Sequence, residues 1–162
     1  VLASRISAAL EQGRKPGCVA FQSDQKVRIL ATGKATYPDA SLVGGPIAGD
    51  PAEPTGHTIT NPRLIVEVLS DATEDYDRGL KFDRYRSIPT LETYVIVSHR
   101  EELVQLYERQ PSTGAPSEAP APGFKWLMTE LRGRGAVLRL NRPAVVLPLE
   151  EIYSRWEEYR TS

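Results

Sequence analysis

The chain has 162 residues, enough to bury a core of its own without disulfides or a structural metal. Its 20 Lys+Arg stand against 21 Asp+Glu, a formal net charge of -1, which excludes a generally basic surface and leaves any nucleic-acid binding to a local patch or to metal ions. A single cysteine, Cys18, excludes an internal disulfide framework and a multi-cysteine zinc site.

The chain starts at Val1 inside a helical pattern: Leu2, Ile6, Ala9 and Leu10 recur at helical spacing until Gly13 and Pro16-Gly17 end it. Residues upstream of Val1 are therefore expected. From Cys18 the texture is that of a strand, with Val19 and Phe21 alternating, a turn at Ser23-Asp24, and a second strand through Val27 and Ile29. Tyr37–Val43 is predicted as a third strand. Residues 44–62, rich in Gly, Pro, Asp and Thr, are predicted as a long functional or mobile loop.

Leu64–Leu69 is an apolar run broken only by Glu67, and its β-branched content predicts a central strand buried on both faces. A helix is predicted from Glu74 to Ser87, ahead of Pro89. Thr93–Val97 and Leu103–Tyr107 form a strand pair around a polar turn. Residues 110–123 hold Pro111, Pro116, Pro120 and Pro122 and are predicted as an exposed, flexible hairpin loop. Short strands follow at Phe124–Thr129, Ala136–Leu140 and Val145–Leu147. Pro148-Leu149-Glu150-Glu151 opens a last helix carrying Ile152, Trp156 and Tyr159 on one side. The fold class is mixed α/β, one domain over 1–162 with helices packed on a mixed sheet.

Glu67 is the most informative residue. An ionised carboxylate inside an apolar strand must be paired, hydrogen-bonded or bound to metal. The readings that stand are a glutamate at the strand end, an ion pair with a core arginine, and a metal ligand. Asp39, beside Pro38 at a strand entrance, is ordinary turn chemistry when alone. It gains meaning with Glu67, because adjacent strands bring two distant acids together. Asp77, Lys81 and Tyr85 share one helix face at i, i+4 and i+8. On spacing alone this is a solvated face with an ion pair, yet the helix follows the Glu67 strand directly. Two carboxylates and a lysine suit a hard cation: oxygen ligands hold Mg²⁺, the ion activates water and neutralises phosphate charge, and the ammonium stabilises the transition state.

Pro38-Asp39, Glu67-Val68-Leu69-Ser70 and the Asp77, Lys81, Tyr85 set together resemble the Uma2 (DUF820) family of the PD-(D/E)XK nuclease-like superfamily. The stretches Ser23–Ile29 and Pro148–Tyr153 match it in style. The resemblance implies a restriction-endonuclease-like core, a mixed β-sheet flanked by helices, with a divalent metal site for Mg²⁺ or Mn²⁺. It implies Asp39 and Glu67 as metal ligands, the Val68 carbonyl as a third, and Lys81 as the catalytic lysine. Lys81 is displaced, because Leu69 fills the usual lysine position. Asp77 and Tyr85 would orient Lys81. Uma2-like chains also carry a helix and an acidic β-hairpin ahead of the stretch that begins here.

The expected activity is metal-dependent hydrolysis of DNA phosphodiesters, with a homodimer cutting two strands by symmetry. A non-catalytic binding or assembly module on the same scaffold, and a hydrolase of another phosphate ester, are the alternatives. No organic cofactor is implied. No apolar run approaches the roughly 18 residues that cross a membrane, no signal peptide is recognised, and a cytoplasmic setting is the expectation. His57 and His99 lack ligand spacing to any other His or Cys. Cys18 and Trp156 read as packing residues.

Overall fold

The computed structural model describes residues 1–69, 77–111, 125–141 and 144–160, with backbone alone at 77–78 and 159–160. Helix α1 is Leu2–Gly13, and Leu2, Ile6, Ala9 and Leu10 form its buried stripe. It has no side-chain N-cap, no acid in its first turn and no base in its last. Packing therefore holds it, at about 1.5–3 kcal/mol for each fully buried large apolar side chain. Gly13 ends it against the last strand: a Cβ there would meet the Val145 side chain and the Val146 carbonyl at 3.4 Å.

The strands in chain order are β1 (Cys18–Gln22), β2 (Lys26–Ile29), β3 (Lys34–Thr36), β4 (Ala40–Gly44), β5 (Thr58–Ile59) and β6 (Leu64–Leu69). Then come β7 (Thr93–Ser98), β8 (Leu103–Arg109), β9 (Trp126–Arg132), β10 (Val137–Asn141) and β11 (Ala144–Pro148). The main sheet has six strands in the order β1-β4-β6-β7-β8-β9. Its β6–β7 pair is parallel and its other pairs are antiparallel.

Both faces of this sheet are covered. On one, Leu42, Leu64, Val66, Val95, Val97, Val104 and Leu106 pack with α1, the β10–β11 hairpin and the C-terminal helices. On the other, Val43, Ile65, Leu69, Tyr94 and Ile96 meet the small sheet β3-β2-β5 and the segment carrying Tyr85, Ile88 and Leu91. Double coverage explains why Leu64–Leu69 is apolar at nearly every position instead of alternating.

Three predicted elements take a different form. The strand predicted over Tyr37–Val43 starts only at Ala40, as β4 of the large sheet, and residues 37–39 cross to it from β3, an unpredicted strand of the small sheet. Pro38 sits at the crossing because it has no N–H for a ladder. The last helix is two, α3 (Leu149–Tyr153) and α4 (Trp156–Arg160), the shorter helix α2 (Phe82–Tyr85) lying earlier in the chain. The break is at Ser154, which is extended, and Arg155, whose φ of 58° is costly for a residue with a Cβ. Ile152 and Trp156 are buried, and the Trp156 indole N–H donates to the His99 carbonyl at 3.1 Å. The Tyr159 side chain lies outside the described residues, as does most of the proline-rich stretch 110–123. The strand predicted from Phe124 runs from Trp126 to Arg132.

Tyr153 is fully buried and pins the β7–β8 turn. Its hydroxyl is 2.8 Å from the Ser98 carbonyl and 2.9 Å from that of Leu103, and it accepts the Leu103 N–H at 3.3 Å.

Residues 44–62, expected as functional or mobile, are fastened. Asn61 accepts the Ala48 N–H and donates to the Pro46 carbonyl, both at 2.9 Å. Arg28 donates to Asp50 at 2.8 Å and to Glu53 at 2.6 Å; Lys26 reaches Glu53 at 2.6 Å; and the Thr58 hydroxyl donates to Glu53 as well. The segment also contributes β5, whose pairing with β2 is parallel. Hydrogen bonds from Lys26 and Thr58 hold the Glu53 carboxyl down at about 2, below its ordinary 4.5. A depressed acid stabilises the fold above its unfolded value and loses that contribution as pH falls towards its folded value. Glu53→Gln is thus expected to lower the thermal midpoint at pH 7, and to match the parent protein near pH 2. Calorimetry across that range is the check, and a gap that persists at pH 2 would contradict the assignment.

Candidate active site

The antiparallel β4–β6 register pairs Ala40 with Val66. One step further, Asp39 stands level with Glu67, and residues directly opposite in such a pair share a face. Asp39 is anchored there by its Oδ2, which accepts the Val68 N–H at 2.7 Å. Glu67 lies between Ile65 and Leu69 on the same side of β6, the side facing the small sheet. Its side chain is only 3% exposed.

The segment after β6 brings the counter-charge. Residues Asp77–Lys81 form a π-helical turn and Phe82–Tyr85 continue it as the short helix α2. Single π turns are frequent at functional sites because they shift the helical register locally. The segment is seated by rings: Phe82 stacks on Tyr94 at 5.1 Å and lies 4.6 Å from Tyr107, while Tyr85 lies 5.5 Å from Tyr94. Seated this way, Lys81 Nζ lies 2.8 Å from Glu67 Oε1. The Tyr85 hydroxyl donates to the same oxygen at 2.7 Å. Tyr85 in turn meets the Thr36 hydroxyl, on β3, at 2.9 Å.

Burial pushes the Glu67 carboxyl up to about 7, outweighing the attraction of Lys81 and the hydrogen bonds from Lys81 and Tyr85; the Asp39 charge adds to the rise. Burial, reinforced by the Glu67 charge, raises the Tyr85 phenol well above its ordinary value. At neutral pH Tyr85 is therefore a hydrogen-bond donor.

Asp39, Glu67, Lys81 and Tyr85 thus fall in one neighbourhood. Tyr85 touches Glu67 with its hydroxyl, and its ring centroid lies 5.9 Å from Lys81 Nζ. Val68 donates its N–H to Asp39. The Asp77 side chain lies outside the described residues. Thr36 carries no signal in the sequence, since an isolated Thr ahead of Pro38 looks like strand filling. Ser41 is equally silent there: it is 1% exposed on the Asp39 side of β4, and its hydroxyl has no partner among the described residues.

Among the described residues no three His, Cys, Asp or Glu side chains cluster. The donor set is two carboxylates. Glu67 Oε2 and Asp39 Oδ1 make no hydrogen bond to the described residues, while their sister oxygens are occupied. Two carboxylate oxygens without a partner among the described residues, completed by water, fit a hard divalent cation such as Mg²⁺, which keeps several waters when bound.

The mixed sheet thus carries Asp39, Glu67 and Lys81 in one neighbourhood. Residues 1–139 match the Uma2 family, described as "Putative restriction endonuclease", and the chain belongs to that family. It resembles a crystal structure of a "putative nuclease belonging to DUF820" from Anabaena variabilis, with a TM-score of 0.65 at 14% identity, covering 96% of this chain and 79% of that one. Two uncharacterized Synechocystis sp. proteins are similar. One, slr1290, is 40% identical over 57% of this chain and 46% of its own length; the other, sll1609, is 30% identical over 75% of this chain and 61% of its own length. The chain therefore spans about half to three-fifths of these relatives. No helix among the described residues is long and apolar enough to cross a membrane.

Proposed function

We propose that this chain is the catalytic domain of a divalent-metal-dependent endonuclease that hydrolyses DNA phosphodiesters. The observation that carries the reading is Glu67: a carboxylate 3% exposed on the central strand, held at Oε1 by Lys81 and Tyr85, level with Asp39. Asp39 and Glu67 would hold Mg²⁺ or Mn²⁺, with the Val68 carbonyl available as a third oxygen. The ion when bound supplies an activated water and neutralises charge on the phosphate.

The chain's own groups do the rest. Lys81, 18% exposed, combines a fixed position with access to solvent, as a group that stabilises developing negative charge on a phosphate oxygen requires. Val68 N–H orients Asp39 and Tyr85 orients Glu67, so neither acid swings when substrate arrives. A homodimer would present two such sites to the two strands of a duplex.

One observation favours a second reading, a non-catalytic binding or assembly module: Lys81 already neutralises Glu67, as in a structural ion pair. Plasmid and single-stranded DNA incubated with Mg²⁺, Mn²⁺ or EDTA separate the two. Cleavage that needs the cation and disappears in Lys81→Ala is the expected result. An inert wild-type protein under all conditions selects the second reading.

A further inference from the structure

Resting on the metal-site reading above, we infer that Thr36 is a positioning residue, which fixes the Glu67 carboxylate through the hydroxyl of Tyr85 and so ties the small sheet to the active site. A carboxylate accepts hydrogen bonds, and Glu67 Oε1 takes one from Tyr85 at 2.7 Å and one from Lys81 at 2.8 Å. A phenol has a single proton, so once Tyr85 gives it to Glu67, its oxygen can only accept. The Thr36 hydroxyl, 2.9 Å away, must then be the donor. The chain Thr36→Tyr85→Glu67 has one direction.

The surroundings make the direction matter. Tyr85 is fully buried, and its ring is held against Tyr94. Its hydroxyl therefore cannot turn to water, and it keeps one acceptor position that only Thr36 fills among the described residues. With Oε1 saturated by two donors, the carboxylate has one orientation that leaves Oε2 available. Remove the Thr36 hydroxyl and the Tyr85 oxygen loses the partner that orients it, in a site where an unmade hydrogen bond is not replaced by solvent.

Thr36 itself is placed by β3, which pairs with β2 through Val27↔Thr36. Strand β2 carries Lys26 and Arg28, whose contacts with Asp50 and Glu53 fasten residues 44–62. The small sheet therefore sets the position of a hydroxyl that sets the position of a proposed ligand. Partners that orient metal ligands in this way typically change metal affinity about 10–100-fold when removed.

The test uses Thr36→Val, Thr36→Ser, Tyr85→Phe and the Thr36→Val/Tyr85→Phe double variant, each titrated with Mn²⁺ alone by calorimetry. Thr36→Val is expected to weaken Mn²⁺ binding about tenfold, and Thr36→Ser to restore it. The double variant is expected to bind as Tyr85→Phe does, because Thr36 acts only through Tyr85. An additive loss in the double variant, or wild-type affinity in Thr36→Val, overturns the inference. The metal-free proteins supply a readout independent of the ion: the NMR resonance of the Tyr85 hydroxyl proton is expected to move in Thr36→Val and to return in Thr36→Ser. An unmoved resonance also overturns the inference. A wild-type protein that takes up no Mn²⁺ while the resonance responds overturns the metal-site reading and leaves the hydrogen-bond chain standing.

Discussion

Glu67→Gln and Asp39→Asn are each expected to lower metal-dependent DNA cleavage by about 10³-fold, at the upper end of what removing one preorganised electrostatic group from an active site does. The two amides keep the side-chain volume and can still accept a hydrogen bond, so the comparison removes charge more than packing. The routes of failure differ. In Glu67→Gln the new amide can keep the contacts with Lys81 and Tyr85, but it offers a neutral oxygen to a cation. In Asp39→Asn the side-chain oxygen can keep the bond from Val68 N–H, and the second negative charge is lost. Cleavage rates measured at several Mn²⁺ concentrations check this directly. Activity within tenfold of the parent in either variant would remove that carboxylate from the proposed ligand set. Truncation of Glu67 to alanine is the poorer probe, since it would leave Lys81 and Tyr85 without their shared acceptor in a buried space.

The second large effect concerns stability and pH. Unfolded, Glu67 titrates near its ordinary 4.5; folded and without metal it does so at about 7. Between these values the folded protein retains a proton that the unfolded chain has released, so stability falls as pH rises through that window. The loss attributable to Glu67 is complete above pH 7 and amounts to about 3 kcal/mol. Urea unfolding in EDTA at pH 5 and pH 8 measures it. The parent protein is expected to be the more stable at pH 5 by most of that margin, with Glu67→Gln showing a much flatter profile. Parallel profiles for the two proteins would assign the pH dependence to other groups. The window does not overlap that of Glu53, which lies below its ordinary 4.5.

Where the sequence is readable, one pattern is forced by one environment. α1 announces itself because its buried stripe has helical spacing and a Gly-Pro stop. β6 does so because double coverage demands an apolar run, and Glu67 stands out because that run tolerates a carboxylate only with partners. The spacing of Lys81 and Tyr85 survives even though the preceding turn is π-helical. Signals that depend on distant contacts are silent. β3 gives no sign of its own, because its place depends on the partner strand β2 in the small sheet. The fastening of residues 44–62 depends on Arg28 and Lys26, residues far earlier whose partners no periodicity reveals. Thr36 gives no sign for the same reason: its partner is 49 residues away on another element. The split between α3 and α4 turns on a single positive φ at Arg155, a residue type that gives no warning of it.

The opening helix and the closing elements share one core: Leu2, Ile6 and Leu10 pack with Val145, Leu147, Leu149 and Ile152. The two groups lie far apart along the chain. The side of the α1 stripe that meets β11 and α3 stays uncovered until those later residues have joined the fold. Contacts of such long sequence separation slow folding and prolong the exposure of sticky surface.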